Sequence, residues 1–157
     1  MSSNVIKRNL VPRLLVVGYG NPMRGDDGLG WEVARRIEAL CLRGVDIYYA
    51  QQLQTELLEE WSRYRRIMLI DAATSGPVLC LRRIRKRRAG ASSTHNLTPE
   101  TLLALSWRLY GRAPEMTLCQ MRGEDFTFGA GIPAIDRRVR RAVALVRLWA
   151  CRQHPNF

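Results

Sequence analysis

The chain has 157 residues, 46% of them hydrophobic, which suits one globular domain, residues 1–157, with a core over about 14–150. No apolar run approaches the roughly 20 residues of a membrane span, and the basic N-terminus is broken by Pro12 and Arg13, so neither a membrane protein nor a signal peptide is expected. The formal charge of +11 admits nucleic acid, a membrane surface or an acidic partner, but RNA-binding aromatic signatures and zinc-finger spacings are missing, which leaves a solvated basic surface as the favoured reading.

Leu14–Val17 is a short continuous apolar run ending at Gly18, the pattern of a strand buried on both faces. The turn GYGNPMRGDDGLG follows. Leu29, Val33, Ile37 and Leu40 then recur at helical spacing with charged residues between them, which predicts an amphipathic helix. Val45–Ala50 reads as a second strand, and Thr55 as the cap of a short helix carrying Leu57, Leu58 and Trp61. Ile67–Ile70 is apolar and stops at Asp71, and Val78–Ile84 is a strand that turns basic. Thr98-Pro99 opens a helix that Gly111 closes. Met116–Met121 is a further strand, and Pro133 is expected to open a last helix with Ile135, Val139, Val143, Val146 and Trp149 on its apolar side. Strands alternating with helices predict an α/β fold, a single-domain three-layer sandwich whose mostly parallel twisted sheet is flanked by helices.

Cys41, Cys80, Cys119 and Cys151 form no C-x-x-C pair, which argues against a zinc knuckle or a disulfide scaffold and for reduced thiols in a cytoplasmic protein. Much of the positive charge lies in RRIRKRR (82–88) and RRVRR (137–141). The first cluster lies between the strand at Val78 and the loop carrying His95, and is expected to border a ligand cleft there and to meet an acidic face of a partner. A non-catalytic nucleic-acid-binding α/β protein is the alternative that the charge suggests.

Ligands of parallel sheets bind beyond the carboxyl ends of the strands. The glycine turn lacks the third glycine of a dinucleotide fingerprint, since Met23 stands there, and no Gly-Lys-Ser/Thr follows. Asp26 and Asp27 would also repel a phosphate at the helix start. Carboxylates suit a divalent cation instead. Asp27 and Asp71 offer oxygen ligands, and His95, in the loop before Thr98-Pro99, offers an imidazole, giving a mixed site with open positions. Each also has a plainer role: Asp26 or Asp27 as helix cap, with Asp26 the preferred one, Asp71 as turn former, and His95 as a loop histidine.

At these residues the sequence resembles the hydrogenase maturation endopeptidases, which trim the C-terminus of the large subunit of nickel–iron hydrogenases. Gly18, Gly20, Asn21, Asp26, Asp27 and Gly30 match the signature G-x-G-N-x-x-x-x-D-[DE]-x-x-G. Asp71 with Gly76, and then Ser93-Thr94-His95, follow in order. Gln51-Gln52-Leu53 with Glu56, and LYGRAPE (109–115), resemble members associated with soluble bidirectional hydrogenases. The resemblance implies that Asp27, Asp71 and His95 bind metal, and that the metal is nickel already inserted in the [NiFe]-hydrogenase large-subunit precursor. The isolated protein's ligands would also accept another divalent metal. It further implies endopeptidase removal of the precursor's C-terminal extension. Gly20 and Asn21 are then expected to position the substrate, the glycine by leaving backbone room for the tail and Asn21 by orienting the tail or bracing the turn. Asp71 or Asp27 would act as general base toward water near the nickel.

Overall fold

The computed structural model describes residues 13–86, 97–134 and 136–152. Five strands, β1 (Leu14–Tyr19), β2 (Val45–Ala50), β3 (Arg66–Ala73), β4 (Leu79–Arg83) and β5 (Glu115–Arg122), form one sheet in the order β2-β1-β3-β5-β4. The first three and β5 run parallel, while β4 pairs antiparallel with β5 at the edge. The helices are α1 (Leu29–Ala39), α2 (Leu58–Trp61), α3 (Pro99–Tyr110) and α4 (Arg137–Cys151). Short 3-10 turns at Gly25–Gly28 and Thr55–Leu57 lead into α1 and α2. No described helix is long and apolar enough to cross a membrane.

The period of two along each strand divides the core into layers. Leu14, Val16, Met68, Ile70, Cys119 and Met121 face Val33 and Ile37 of α1 and Val139 and Val146 of α4. Leu15, Val17, Ile67, Leu69, Met116 and Leu118 face Trp61 of α2 and Leu102 and Leu103 of α3. The central strands are apolar on both faces because both are covered, which is the three-layer sandwich expected from the sequence.

Several local expectations shift by a few residues. Thr98 caps α3 by accepting from the Thr101 amide at 3.2 Å, Pro99 follows it, and Gly111 ends the helix in a left-handed conformation. The closing helix does not open at Pro133. Asp136 is its cap, accepting from the amides of Arg138 and Val139, so the first turn forms only beyond it. Thr55 makes no cap bond, since the chain enters its 3-10 turn from an extended Gln54. β3 also runs past Asp71 to Ala73, because β5 continues to pair with it there.

Candidate active site

The strand order reverses direction between β1 and β3. β1 leads through α1 to β2 on one side, and the chain then crosses back to β3 on the other. A crevice opens beyond the carboxyl ends of the strands at such a switch, and the glycine turn lies there. Gly20 has φ +128°, and a Cβ on it would overlap the carbonyl oxygen of Asp27. Gly30 lies so close to β3 that a Cβ would overlap the carbonyl oxygen of Ile70, the residue before Asp71. These two close approaches fold the turn back on itself and set the start of α1 directly on β3.

Asp27 is held by the turn that carries it. The Asn21 amide donates to its Oδ2 at 2.8 Å, while its own amide donates to the Arg24 carbonyl at 3.0 Å. Oδ1 has no hydrogen bond among the described residues and is the oxygen left to meet a ligand. Asn21 braces the same turn, its Oδ1 accepting from the Met23 amide at 2.9 Å. Gly20 is anchored to β2 through its amide and the Ala50 carbonyl at 3.1 Å.

Asp71 emerges where β1 peels away. The β1–β3 register ends at Gly18↔Ile70, whereas Asp71 still pairs with Gln120 of β5. Alternation puts its side chain on the α3 side of the sheet, beside Tyr19. Burial pushes the Asp71 carboxyl up to about 6, and the charge of Asp27 adds to the rise. A hydrogen bond from the Tyr19 hydroxyl and one from the Ala72 amide oppose it. Burial and the Asp71 charge in turn keep the Tyr19 phenol protonated well above its ordinary range. The first turn of α3 borders this side, where Glu100, joined to Arg82 of β4 at 2.7 Å, also acts on Tyr19.

Asp26 is not a helix cap. Its Oδ2 accepts from the amides of Glu124 at 2.7 Å and Asp125 at 3.2 Å, both in the loop after β5. Arg138 of α4 grips both of its oxygens, at 2.8 and 3.2 Å, and also binds Asp136 and the Arg122 carbonyl. Burial opposes the Asp26 charge, yet Arg138 and the two amides hold its carboxyl below the usual range. The adjacent aspartates therefore divide their work. Asp26 ties the turn to α4 and to the loop after β5, and Asp27 stands near enough to Asp71 for its charge to act there.

The structure thus brings Asp27 and Asp71 together with Gly20 and Asn21, while His95 lies outside the described residues. Among the described residues, no three acidic, histidine or cysteine side chains converge as a metal cluster. Cys119 is no nucleophile, because burial pushes its thiol up to about 12. Sequence reasoning missed Tyr19, beside Asp71, and Arg138, which holds Asp26. Tyr19 is not legible in the sequence, because its place beside Asp71 depends on the β1–β3 pairing, which alternation along a single strand does not disclose.

No protein-family model and no curated protein matches the sequence. Solved structures do match. The [NiFe] hydrogenase maturation protease HycI of Thermococcus kodakarensis KOD1 superposes with a TM-score of 0.68 at 21% identity, over 92% of this chain and 94% of that one. The hydrogenase maturating endopeptidase HybD of E. coli gives 0.67 at 21%, over 91% and 94%. The hydrogenase 2 maturation peptidase of Thaumarchaeota archaeon SCGC_AB-539-E09 gives 0.66 at 22%, over 90% and 99%. At such identities the likeness is one of architecture, and it extends over nearly the whole chain: this protein has the fold of the hydrogenase maturation proteases.

Proposed function

We propose that the protein is a cytoplasmic endopeptidase that removes the C-terminal extension of a nickel-loaded [NiFe]-hydrogenase large-subunit precursor. The observation that carries this reading is the meeting of Asp27 and Asp71 at the switch crevice, on the fold that the solved maturation proteases share. Nickel belongs here to the substrate. The free Oδ1 of Asp27 and the carboxylate of Asp71 offer it oxygen ligands, and His95 is the third ligand of the proposal. The glycines pack the turn tightly on itself and on β3, and Gly20 and Asn21 form the wall along which an extended tail would lie.

A carboxylate that titrates near 6 is suited to accept a proton at neutral pH. Asp71 takes one from water as the oxygen attacks the scissile carbonyl. The C–N bond then breaks, and the departing amine takes up the proton. Tyr19, kept neutral by burial, presents its hydroxyl to Asp71 and favours the ionised carboxylate there. The decisive test incubates the protein with candidate precursor, with and without nickel, and weighs the released peptide by mass spectrometry. One peptide released only with nickel is expected. Asp27→Asn, Asp71→Asn and His95→Ala should fold and release none. Release without nickel, or by all three variants, overturns the assignment.

A further inference from the structure

We propose that the first two turns of α4 are a docking surface for an acidic polypeptide segment of the substrate protein, an inference that rests on the peptidase reading above. Four of the first five residues of this helix are arginine, and its first turn has no acidic residue. A helix N-terminus carries partial positive charge, so this placement is unfavourable to the helix itself. Arg138 is accounted for by Asp26 and Asp136. Arg137, Arg140 and Arg141 are exposed and join no ion pair among the described residues. In the other basic cluster, by contrast, Arg82 and Arg83 pair with Glu100 and Glu115.

The three free guanidinium groups share one face, at spacings of three and four residues. With Ala144 they line an open depression of about 630 Å³. A second, of about 400 Å³, continues from Arg137 and Arg141 to Val78, Pro133 and Glu124. The Glu124 amide is one of the two that hold Asp26, so this surface runs to the edge of the turn carrying Asp27. Guanidinium forks match carboxylates bidentately. Beside Arg137 and Arg141 the second depression is lined by apolar Val78 and Pro133, which suit the side chains of a polypeptide better than the phosphate backbone of a nucleic acid.

The test compares Arg137→Gln/Arg140→Gln/Arg141→Gln with a control, Arg63→Gln/Arg108→Gln/Arg112→Gln, which removes as many exposed cations elsewhere. Binding of a fluorescein-labelled oligoglutamate peptide and of a labelled DNA duplex is followed by anisotropy at rising salt. The α4 variant should melt no lower than the wild type, bind the peptide about tenfold more weakly and show a shallower salt dependence, while the control binds as the wild type. With precursor as substrate, its KM should rise about tenfold at unchanged kcat. Equal losses in both variants, an unchanged KM, or tighter α4-dependent binding of the duplex than of the peptide would each overturn the docking surface. The peptide probe carries no nickel, and Asp71→Asn should bind it normally. A failed cleavage assay alone therefore counts against the peptidase reading, and undiminished peptide binding by the α4 variant counts only against the docking surface.

Discussion

Burying one carboxylate beside another costs the fold free energy, and Asp71 bears that cost. In the unfolded chain an aspartate titrates near 4, whereas Asp71 in the fold titrates at about 6. Below about pH 4 both states hold the proton and no penalty exists. As pH rises the unfolded chain ionises first, and the penalty grows until pH passes the folded value. It levels off at roughly 2–3 kcal/mol. Asp71→Asn is therefore expected to raise the unfolding free energy by about 2 kcal/mol at neutral pH and by almost nothing near pH 4, while abolishing cleavage. Urea denaturation at the two pH values measures this, and an equal gain at both would reject Asp71 as the titrating group. Gly30 makes a second point at this scale. A methyl group there would meet the Ile70 carbonyl, so Gly30→Ala should cost about 2 kcal/mol or more by pushing α1 off β3. Wild-type stability of that variant would show that helix and strand part without cost.

Between elements, the contact that matters most is the grip of Arg138 on Asp26, which spans 112 positions of sequence. It fastens the turn after β1 to α4 and to the loop after β5. Arg138→Ala leaves Asp26 out of water without its counter-ion and should cost about 3 kcal/mol, whereas Asp26→Asn leaves Arg138 its pair with Asp136 and should cost less, about 1–2 kcal/mol. Their double variant should fall short of the sum by about 1–3 kcal/mol, and strict additivity in denaturation would show that the pair is not coupled. This contact also marks the limit of what the sequence discloses. Asp27 and Asp71 were legible because a glycine turn and a buried apolar run each end beside a carboxylate, both of them local patterns. Asp26 looked like a helix cap for the same local reason, and its actual partner lies too far along the chain for any spacing rule to reach. The start of α4 was misplaced because Pro133 and Asp136 both resemble helix openers, and only the bonds to Arg138 and Val139 decide between them.

For the whole molecule, strand–helix alternation indicates a covered parallel sheet, but it cannot fix the strand order or the antiparallel β4, since periodicity along one strand is silent about its neighbour. The observed order sends the chemistry to the carboxyl edge. The opposite edge is clamped by contacts that have no part in it. Arg13 pairs with Asp46 at 3.0 Å, and the Tyr64 hydroxyl donates to the same carboxylate at 2.8 Å. Arg66, at the start of β3, pairs with Glu115 at 3.2 Å, and its guanidinium lies 4.8 Å from the centre of the Trp149 ring. A mostly buried cation over an aromatic face is worth about 1–2 kcal/mol, and the arginine stem packs as well. Asp71 lies five residues further along the same strand, at its other end. If the two edges divide stability from chemistry, Arg66→Ala should lower the unfolding free energy by about 2 kcal/mol. It should leave kcat/KM for precursor cleavage at the wild-type value below the melting transition. A substantial fall in kcat/KM at undiminished stability would mean that β3 transmits changes along its length, and that the two edges are not independent.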